Sequence, residues 1–410
     1  TVLAEAVSGG PVSDILDLDD GAGGHRVVRI VNAILAEAVE RGASDIHLEP
    51  YEDTVRIRYR VDGVLQEASP PPPSLFVPAV SRLKILAHMD IAERRVPQDG
   101  GIALRMGRRR VDLRVATVPT VYGEKMVIRL LEKAAIPPVL TDLGFSDRQA
   151  TDFMEAAAAP HGLCFVTGPT GSGKSTTLYC CLQQINRSER NILTVEDPVE
   201  YRFEGLNQVQ VKSRVGLDFA RSLRAFLRLD PDVIMVGEVR DTETARICMR
   251  AALTGHLVLS TLHTNNSFQV VHRLVDMGVE PFLLGPALRL LQAQRLVRRL
   301  CPGCRTEAAL PDSTAERHHL EASTRVWQPG DDADCEECCG TGYRGRIGLY
   351  EVVPFDRALQ EKVAGGAGER ELRAAAAEMG IETLGDSARA RLLDGTTSLN
   401  EVSDYLREAV

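Results

Sequence analysis

"GPTGSGKST", Gly168 to Thr176, decides the fold of most of this chain. The stretch fits G-x-x-x-x-G-K-[ST] and stands between the apolar run "LCFVT" (163–167) and a segment patterned as a helix, the setting the motif requires. Gly168, Gly171 and Gly173 allow the backbone, with Pro169, Thr170 and Ser172 between them, to wrap phosphate groups in N–H donors. The helix N-terminus that follows adds positive partial charge, and Lys174 is placed for the β- and γ-phosphates. Ser175 and Thr176 bring hydroxyls, that of Ser175 suited to Mg²⁺. The ligand so read is ATP with Mg²⁺. A Gly-rich turn that matched by chance would have no need of the strand before it and the helix after it.

Working outward, "LCFVT", "ILTVE", "VIMVG" and "LVLST" are short apolar strands, each followed by a helical segment, over residues 143–295. That alternation predicts crossover connections, a mainly parallel sheet and helices on both faces. Ligands in such sheets gather at the carboxyl ends of the strands, so the residues there are the candidates. In "DPDVIMVGEVRD" (230–241), Gly237 stands where a magnesium-holding aspartate is usual, while Glu238 offers a carboxylate to orient or deprotonate water. "TVEDPVEY" (194–201) puts Glu196 and Asp197 at a strand end, where they act on the metal through its waters or merely begin a loop. "TGHLVLSTLHTN" (254–265) places His263 at the carboxyl end, within reach of a γ-phosphate, and His256 at the opposite end.

A chain of 410 residues exceeds one hydrophobic core, so two or three domains are expected. Residues 1–24, rich in Gly and Asp, read as a flexible leader, the remnant of a linker to something upstream. From His25 to about Arg41, Val27, Ile30, Val31, Ile34, Leu35 and Ala38 recur at helical spacing. "TVRIRYRVDGVL" (54–65) alternates as a strand and turns at Asp62-Gly63. The helical pattern "LFVPAVSRLKILAHM" follows prolines 70–73, and the alternating runs "GIALRM" and "VDLRVATV" flank the basic turn "GRRR". Residues 25–131 are thus predicted to form a small mixed α/β domain, and 132–142, with Pro137 and Pro138, a linker.

The net charge of −9 disfavours a nucleic-acid partner, and no apolar run approaches the roughly 20 residues that span a bilayer. Of nine cysteines, Cys301, Cys304, Cys335 and Cys338 stand in paired C-x2-C spacing, which predicts a closed tetrahedral Zn²⁺ site clamping an excursion over 296–345. Cys339 is a spare that could trade with Cys338. Four buried free thiols are the plainer alternative. The tail, 346–410, is helical, broken at "GGAG", "MGIETLGD" and "DGTT".

These motifs together resemble the type II/IV secretion ATPase superfamily. The likeness runs from "RGASDIHLEPYEDTVRIRYRVDGVL" through "LAHMDIAERRVPQDG", the phosphate loop, "TVEDPVEYRFEGLNQVQV", "LRLDPDVIMVGEVRDTETA" and "TGHLVLSTLHTN" to "GYRGRIGLYEV". It implies an α/β architecture: a RecA-like motor, a smaller PAS-like N-terminal domain, the tetracysteine insertion and a helical C-terminal subdomain. The Gly237-Glu238 pair is then a family trait. The implied activity is ATP hydrolysis by a homo-hexamer, cytoplasmic and peripheral at the inner membrane, coupled to assembly of a pilus-like fibre that drives protein secretion. Its implied partner is the cytoplasmic part of an inner-membrane platform protein, although the family's docking domain has no counterpart before residue 25. Arg114 and Arg129 match arginines that in the family reach the nucleotide when the domains close; Gly101 stands where the family usually has another. Type IV pilus extension is the neighbouring task. Outside this class stand a nucleic-acid translocase, against which an aromatic content of 5% weighs, and a non-hydrolysing scaffold, for which Glu238 has no use.

Overall fold

A computed structural model describes residues 25–106, 109–131, 136–321, 324–332 and 334–408. The leader 1–24, the first two residues of the "GRRR" turn (107–108) and residues 132–135 of the linker lie outside the described residues. The chain forms two compact units, dividing between Ala134 and Ala135.

In the first unit, α1 (His25–Glu40) buries Ile30, Val31, Ile34, Leu35 and Ala38, the stripe its spacing predicts. Strands β1 (Ala43–Pro50), β2 (Val55–Val61) and β3 (Val64–Ala68) follow, then α2 (Pro73–Leu86), β4 (Gln98–Met106), β5 (Arg109–Thr120) and β6 (Gly123–Leu131). They form one six-stranded sheet in the order β3-β2-β1-β6-β5-β4, every neighbouring pair antiparallel. Asp62 and Gly63 join β2 to β3 with φ of 49° and 87°, the left-handed pair of a type I′ hairpin. Alternation predicts β2, β4 and β5. It misses the central β1, which buries Asp45 and Glu49 as well as Ile46 and Leu48 and carries an irregular register at Ala43/Asp45. The apolar sides of the strands and both helices share one core, and Arg114 and Arg129 stand exposed on the other face.

The second unit is built on strands without a polar face. After α3 (Asp147–Ala158) come β7 (Gly162–Thr167), α4 (Lys174–Ile185), β8 (Ile192–Glu196), β9 (Asn207–Gln210), α5 (Phe219–Phe226), β10 (Val233–Val236), α6 (Thr242–Leu253) and β11 (Leu257–Leu262). Every residue of β7, β8, β10 and β11 is buried, as parallel strands covered on both faces require. Leu163 and Phe165 enter one core with α5, α6 and α7 (Gln269–Asp276), while Cys164 and Val166 enter another with α3 and α4. Helix α8 (Pro281–Ala287) leads into β12 (Leu288–Leu300). The sheet order is β15-β12-β7-β11-β10-β8-β9, parallel throughout except where β15 (Tyr343–Pro354) pairs with β12.

Three sequence boundaries are corrected here. Strands β12 and β15 run through the limits set at 295/296 and 345/346, so the cysteine excursion is what lies between them, with the hairpin β13 (Thr306–Ala309) and β14 (Arg325–Gln328) and the short α9 (Asp312–Arg317). The linker's last three residues, 140–142, do not belong to a linker: Leu140 is buried in the motor core at the start of a 3-10 turn, Leu140–Leu143. The tail is helical as expected, α10 (Arg357–Ala364), α11 (Glu369–Glu378), α12 (Leu384–Leu393) and α13 (Leu399–Glu408), but it is not separate. Helices α10 and α11 share the motor core, and α12 and α13 pack Leu384, Leu392 and Leu406 with Val297 and Leu349 of β12 and β15. Among the described residues no helix is long and apolar enough to cross a membrane.

Candidate nucleotide site and metal centre

Strand β7 ends at Thr167, and the chain turns at once into the loop, with φ of +148°, +79° and +88° at Gly168, Gly171 and Gly173. Those angles disfavour any residue with a Cβ, and at Gly168 a Cβ would also lie 2.5 Å from the carbonyl of Gln294. Gly173 begins α4 with no side-chain cap, so the first-turn N–H groups of this helix stay open to a ligand. The Ser172 hydroxyl is buried without a hydrogen-bond partner, and Lys174 donates only to the carbonyls of Gly168 (2.8 Å) and Pro169 (3.0 Å). Ser175, by contrast, is exposed on the first turn of α4. Uncapped donors, an orphaned hydroxyl and an amine on loop carbonyls fit a polyphosphate. Burial pushes the Lys174 ammonium down to about 8, with Glu238 opposing the shift and Arg295 reinforcing it.

The neighbouring strand ends are locked to this loop by side chains. Thr167 of β7 donates to Leu262 O (3.0 Å) and accepts the Thr264 N–H (2.8 Å), holding the loop after β11. Thr261 of β11 donates to Gly237 O (2.7 Å) and so fixes the exit of β10. Those grips bring Glu238 and His263 to one edge: His263 Nε2 stands 3.5 Å from one carboxylate oxygen of Glu238, and Arg240 pairs with the other. A shallow cleft of about 280 Å³ lies beside His263 and α7, lined by Thr264, Asn265, Gln269 and His272 among others. His256, at the far end of β11, bonds Ala251 O through Nδ1 (3.0 Å), a local structural contact.

Glu196 departs from its expected place. It is buried, and both oxygens are engaged: Tyr179 of α4 donates to one, while Thr194 (2.6 Å) and Gln208 (3.1 Å) donate to the other. The exposed acid is Asp197, whose charge acts on Arg240. Helix α5 ends at Phe226, and just beyond it Arg228 folds back onto Arg224 O (2.9 Å) while Arg224 pairs with Glu243. In the first unit, Arg114 and Arg129 are directly opposed across β5 and β6, and Arg129 pairs with Asp45 at 3.0 Å. Two like charges in register oppose each other, so an anion between them is stabilising. Gly101 is the residue opposite Arg114 on β4.

Three side chains of β12 belong to the site with no motif to announce them. Gln294 is buried, donates to Ser172 O and accepts from Thr177 (2.9 Å) and Gln292 (2.9 Å). Arg295 crosses to the loop after β11 and donates to Asn265 O (2.7 Å). The available signal was the pair of amides inside the apolar run "LLQAQRL" on a strand covered on both faces.

In the excursion, the Sγ atoms of Cys301, Cys304, Cys335 and Cys338 all lie within 4.8 Å of one another, with Cys301 and Cys335 at 3.9 Å and Cys304 and Cys338 at 3.7 Å. Four thiolates on a tetrahedral Zn²⁺ stand about 3.8 Å apart, so the set fits that ion with no open position. Burial works against the Cys338 thiolate, but the Gly342 N–H and the three neighbouring thiols outweigh it and lower its pKa. Cys339 lies exposed outside the set.

A RecA-like parallel sheet with a phosphate loop at its switch point, an acid after β10 and a histidine after β11 define a P-loop nucleotide-binding motor domain. The chain belongs to the type II/IV secretion system protein family, whose model matches residues 20–404. It is 49% identical over 403 residues to type II secretion system protein E of Aeromonas hydrophila, an alignment covering 96% of this chain and 78% of that protein. It is also 49% identical over 383 residues to the type IV pilus assembly ATPase PilB of Myxococcus xanthus, covering 92% and 67%. Among solved structures, the pilus retraction motor PilT with bound ADP matches with a TM-score of 0.62 at 28% identity, over 92% of this chain and 96% of that one. The ATPase DotB of Legionella pneumophila shares the fold with a TM-score of 0.67 at 22% identity, over 92% and 95%.

Two outcomes are expected. Bound phosphates favour the charged amine of Lys174, so nucleotide binding near pH 8 takes up a proton and affinity falls as pH rises above about 8. Calorimetry in buffers of different ionisation enthalpy reads this directly; flat affinity up to pH 9.5 with no proton uptake would count against it. Chain purified without added metal is expected to carry one Zn²⁺, and Cys335→Ser to lose it and open the excursion to protease before the motor. Metal-free native protein with all four thiols freely titratable would remove the site.

Proposed function

We propose that the chain is an ATP-hydrolysing motor that powers assembly of a pilus-like fibre and protein export by a type II secretion system. It works as a homo-hexamer, cytoplasmic and peripheral at the inner membrane, docked on the cytoplasmic part of a membrane platform protein. The observation that carries the catalytic part is the Glu238 carboxylate beyond β10, at the sheet edge from which the Lys174 loop departs, with His263 beside it. Family membership and the 49% identity to a type II secretion system protein E support the physiological part. The equal identity to a type IV pilus assembly ATPase favours a second reading, type IV pilus extension.

The chemistry follows from the charges. The loop N–H groups and Lys174 bind the β- and γ-phosphates, the amine leaving the Gly168 and Pro169 carbonyls for phosphate oxygens. Ser175 would hold Mg²⁺, which would offset the negative charge of the phosphates. Glu238 aligns the attacking water and takes its proton, leaving ADP and phosphate, while His263 orients Glu238 or meets the γ-phosphate. Glu196 is a positioning residue that pins α4 through Tyr179 to β8 and β9. Arg114 and Arg129 supply the further positive charge that phosphoryl transfer needs, from the first unit of the same or a neighbouring subunit.

Glu238→Gln is expected to keep nucleotide affinity and lower turnover by about a hundredfold or more; near-normal phosphate release would sink the assignment. Arg114→Ala and Arg129→Ala are expected to cost turnover more than affinity, and wild-type activity per subunit to rise with protein concentration as oligomers form. Unchanged turnover in both variants, with activity independent of concentration, would exclude a shared site.

A further inference from the structure

Strand β12 places a second cation where the phosphate loop begins. In the sheet order β12-β7-β11, Ala293 of β12 pairs with Thr167, the last residue of β7. Arg295, two residues on, lies beyond that end, yet its guanidinium bonds Asn265 O in the loop after β11, on the far side of β7. The side chain therefore spans the carboxyl end of β7, between the Lys174 loop and the His263 loop. Its other bond is to the adjacent Gln294 O (3.0 Å), and Gln294 itself braces the phosphate loop at Ser172.

The half-buried Arg295 has no ion pair with a carboxylate among the described residues, whereas Arg129, Arg224, Arg240 and Arg298 each have one. Lys174 likewise rests on carbonyls alone, and the Arg295 charge adds to what lowers its pKa. Keeping two unneutralised cations beside one loop costs free energy that a polyanion offsets. Arginine has five N–H donors, and two carbonyl bonds leave three for a ligand. The planar fork suits phosphate oxygens better than an ammonium does.

We propose that Arg295 reads the terminal phosphate of the nucleotide in cis and so distinguishes triphosphate from diphosphate. The proposal rests on the ATP reading of the loop and adds a residue to it from the same unit. Arg295 links the phosphate to the loop that carries His263, so the loss of the terminal phosphate is felt at that loop through Asn265.

The test is equilibrium binding of fluorescent ATP and ADP analogues with Mg²⁺ to the wild-type chain and to Arg295→Ala, Arg295→Gln and Arg295→Lys. Arg295→Ala is expected to weaken ATP about tenfold to a hundredfold relative to ADP, the worth of a hydrogen bond to a charged group. Arg295→Gln still donates to a carbonyl without carrying charge, so it is expected to keep the thermal midpoint and lose the same preference. Arg295→Lys is expected to retain part of it. Equal loss of ATP and ADP affinity, or a triphosphate preference intact in Arg295→Gln, would show that the residue only holds the Asn265 loop and overturn the proposal. Wild-type chain that bound neither nucleotide would remove the reading of the loop itself, an outcome distinct from a lost ratio.

Discussion

The structure depends on holding a glycine-rich backbone loop over the end of one strand. A phosphate cradle needs N–H groups turned toward its ligand and glycines in left-handed conformations, so the loop must be braced from outside. Gln294 is that brace. Its single amide joins Ser172 in the loop to Thr177 on the second turn of α4, and its main chain comes so close that Gly168 cannot carry a Cβ. Because β12 pairs with both β7 and β15, the brace is anchored on a strand paired on both sides rather than on an edge strand of the seven-stranded sheet.

The same economy of means places the reactive groups. Thr167, Thr261 and Ser260 hand hydroxyl bonds from strand to strand across β7, β11 and β10, so Glu238 and His263 inherit their positions from buried side chains rather than from loops. Glu238 is held by Arg240 and stands 3.5 Å from His263, contacts whose balance a polyphosphate charge would change. Strand β12 also leads straight into Cys301, so the tetracysteine clamp fixes the far end of the strand that braces the loop.

Much of this was legible in the sequence, and the rest was hidden for physical reasons. The glycine-rich loop, the four apolar strands and the cysteine pairs announce themselves because each chemistry tolerates few residue types at fixed spacing. Strand β12 hides because its amides break the apolar run that marks a buried strand, yet those amides are what the site uses. Strand β15 hides because glycine, arginine and tyrosine at its start read as a turn while its second half is fully buried. Glu196 misleads because position at a strand's carboxyl end does not say which way a carboxylate faces; Tyr179 and Gln208, distant in sequence, decide that. Arg295 carries no motif at all, and only the sheet order shows that its side chain crosses the end of β7.

The most direct measurement is an experimental structure of the chain with Mg²⁺ and a non-hydrolysable ATP analogue. The account requires the β- and γ-phosphates inside the loop 168–176, Lys174 moved from the Gly168 and Pro169 carbonyls onto phosphate oxygens, Gln294 still bonded to Ser172, and Glu238 facing the terminal phosphate through a water. Nucleotide bound elsewhere, or a Lys174 that stays on the loop carbonyls with phosphate present, would contradict it.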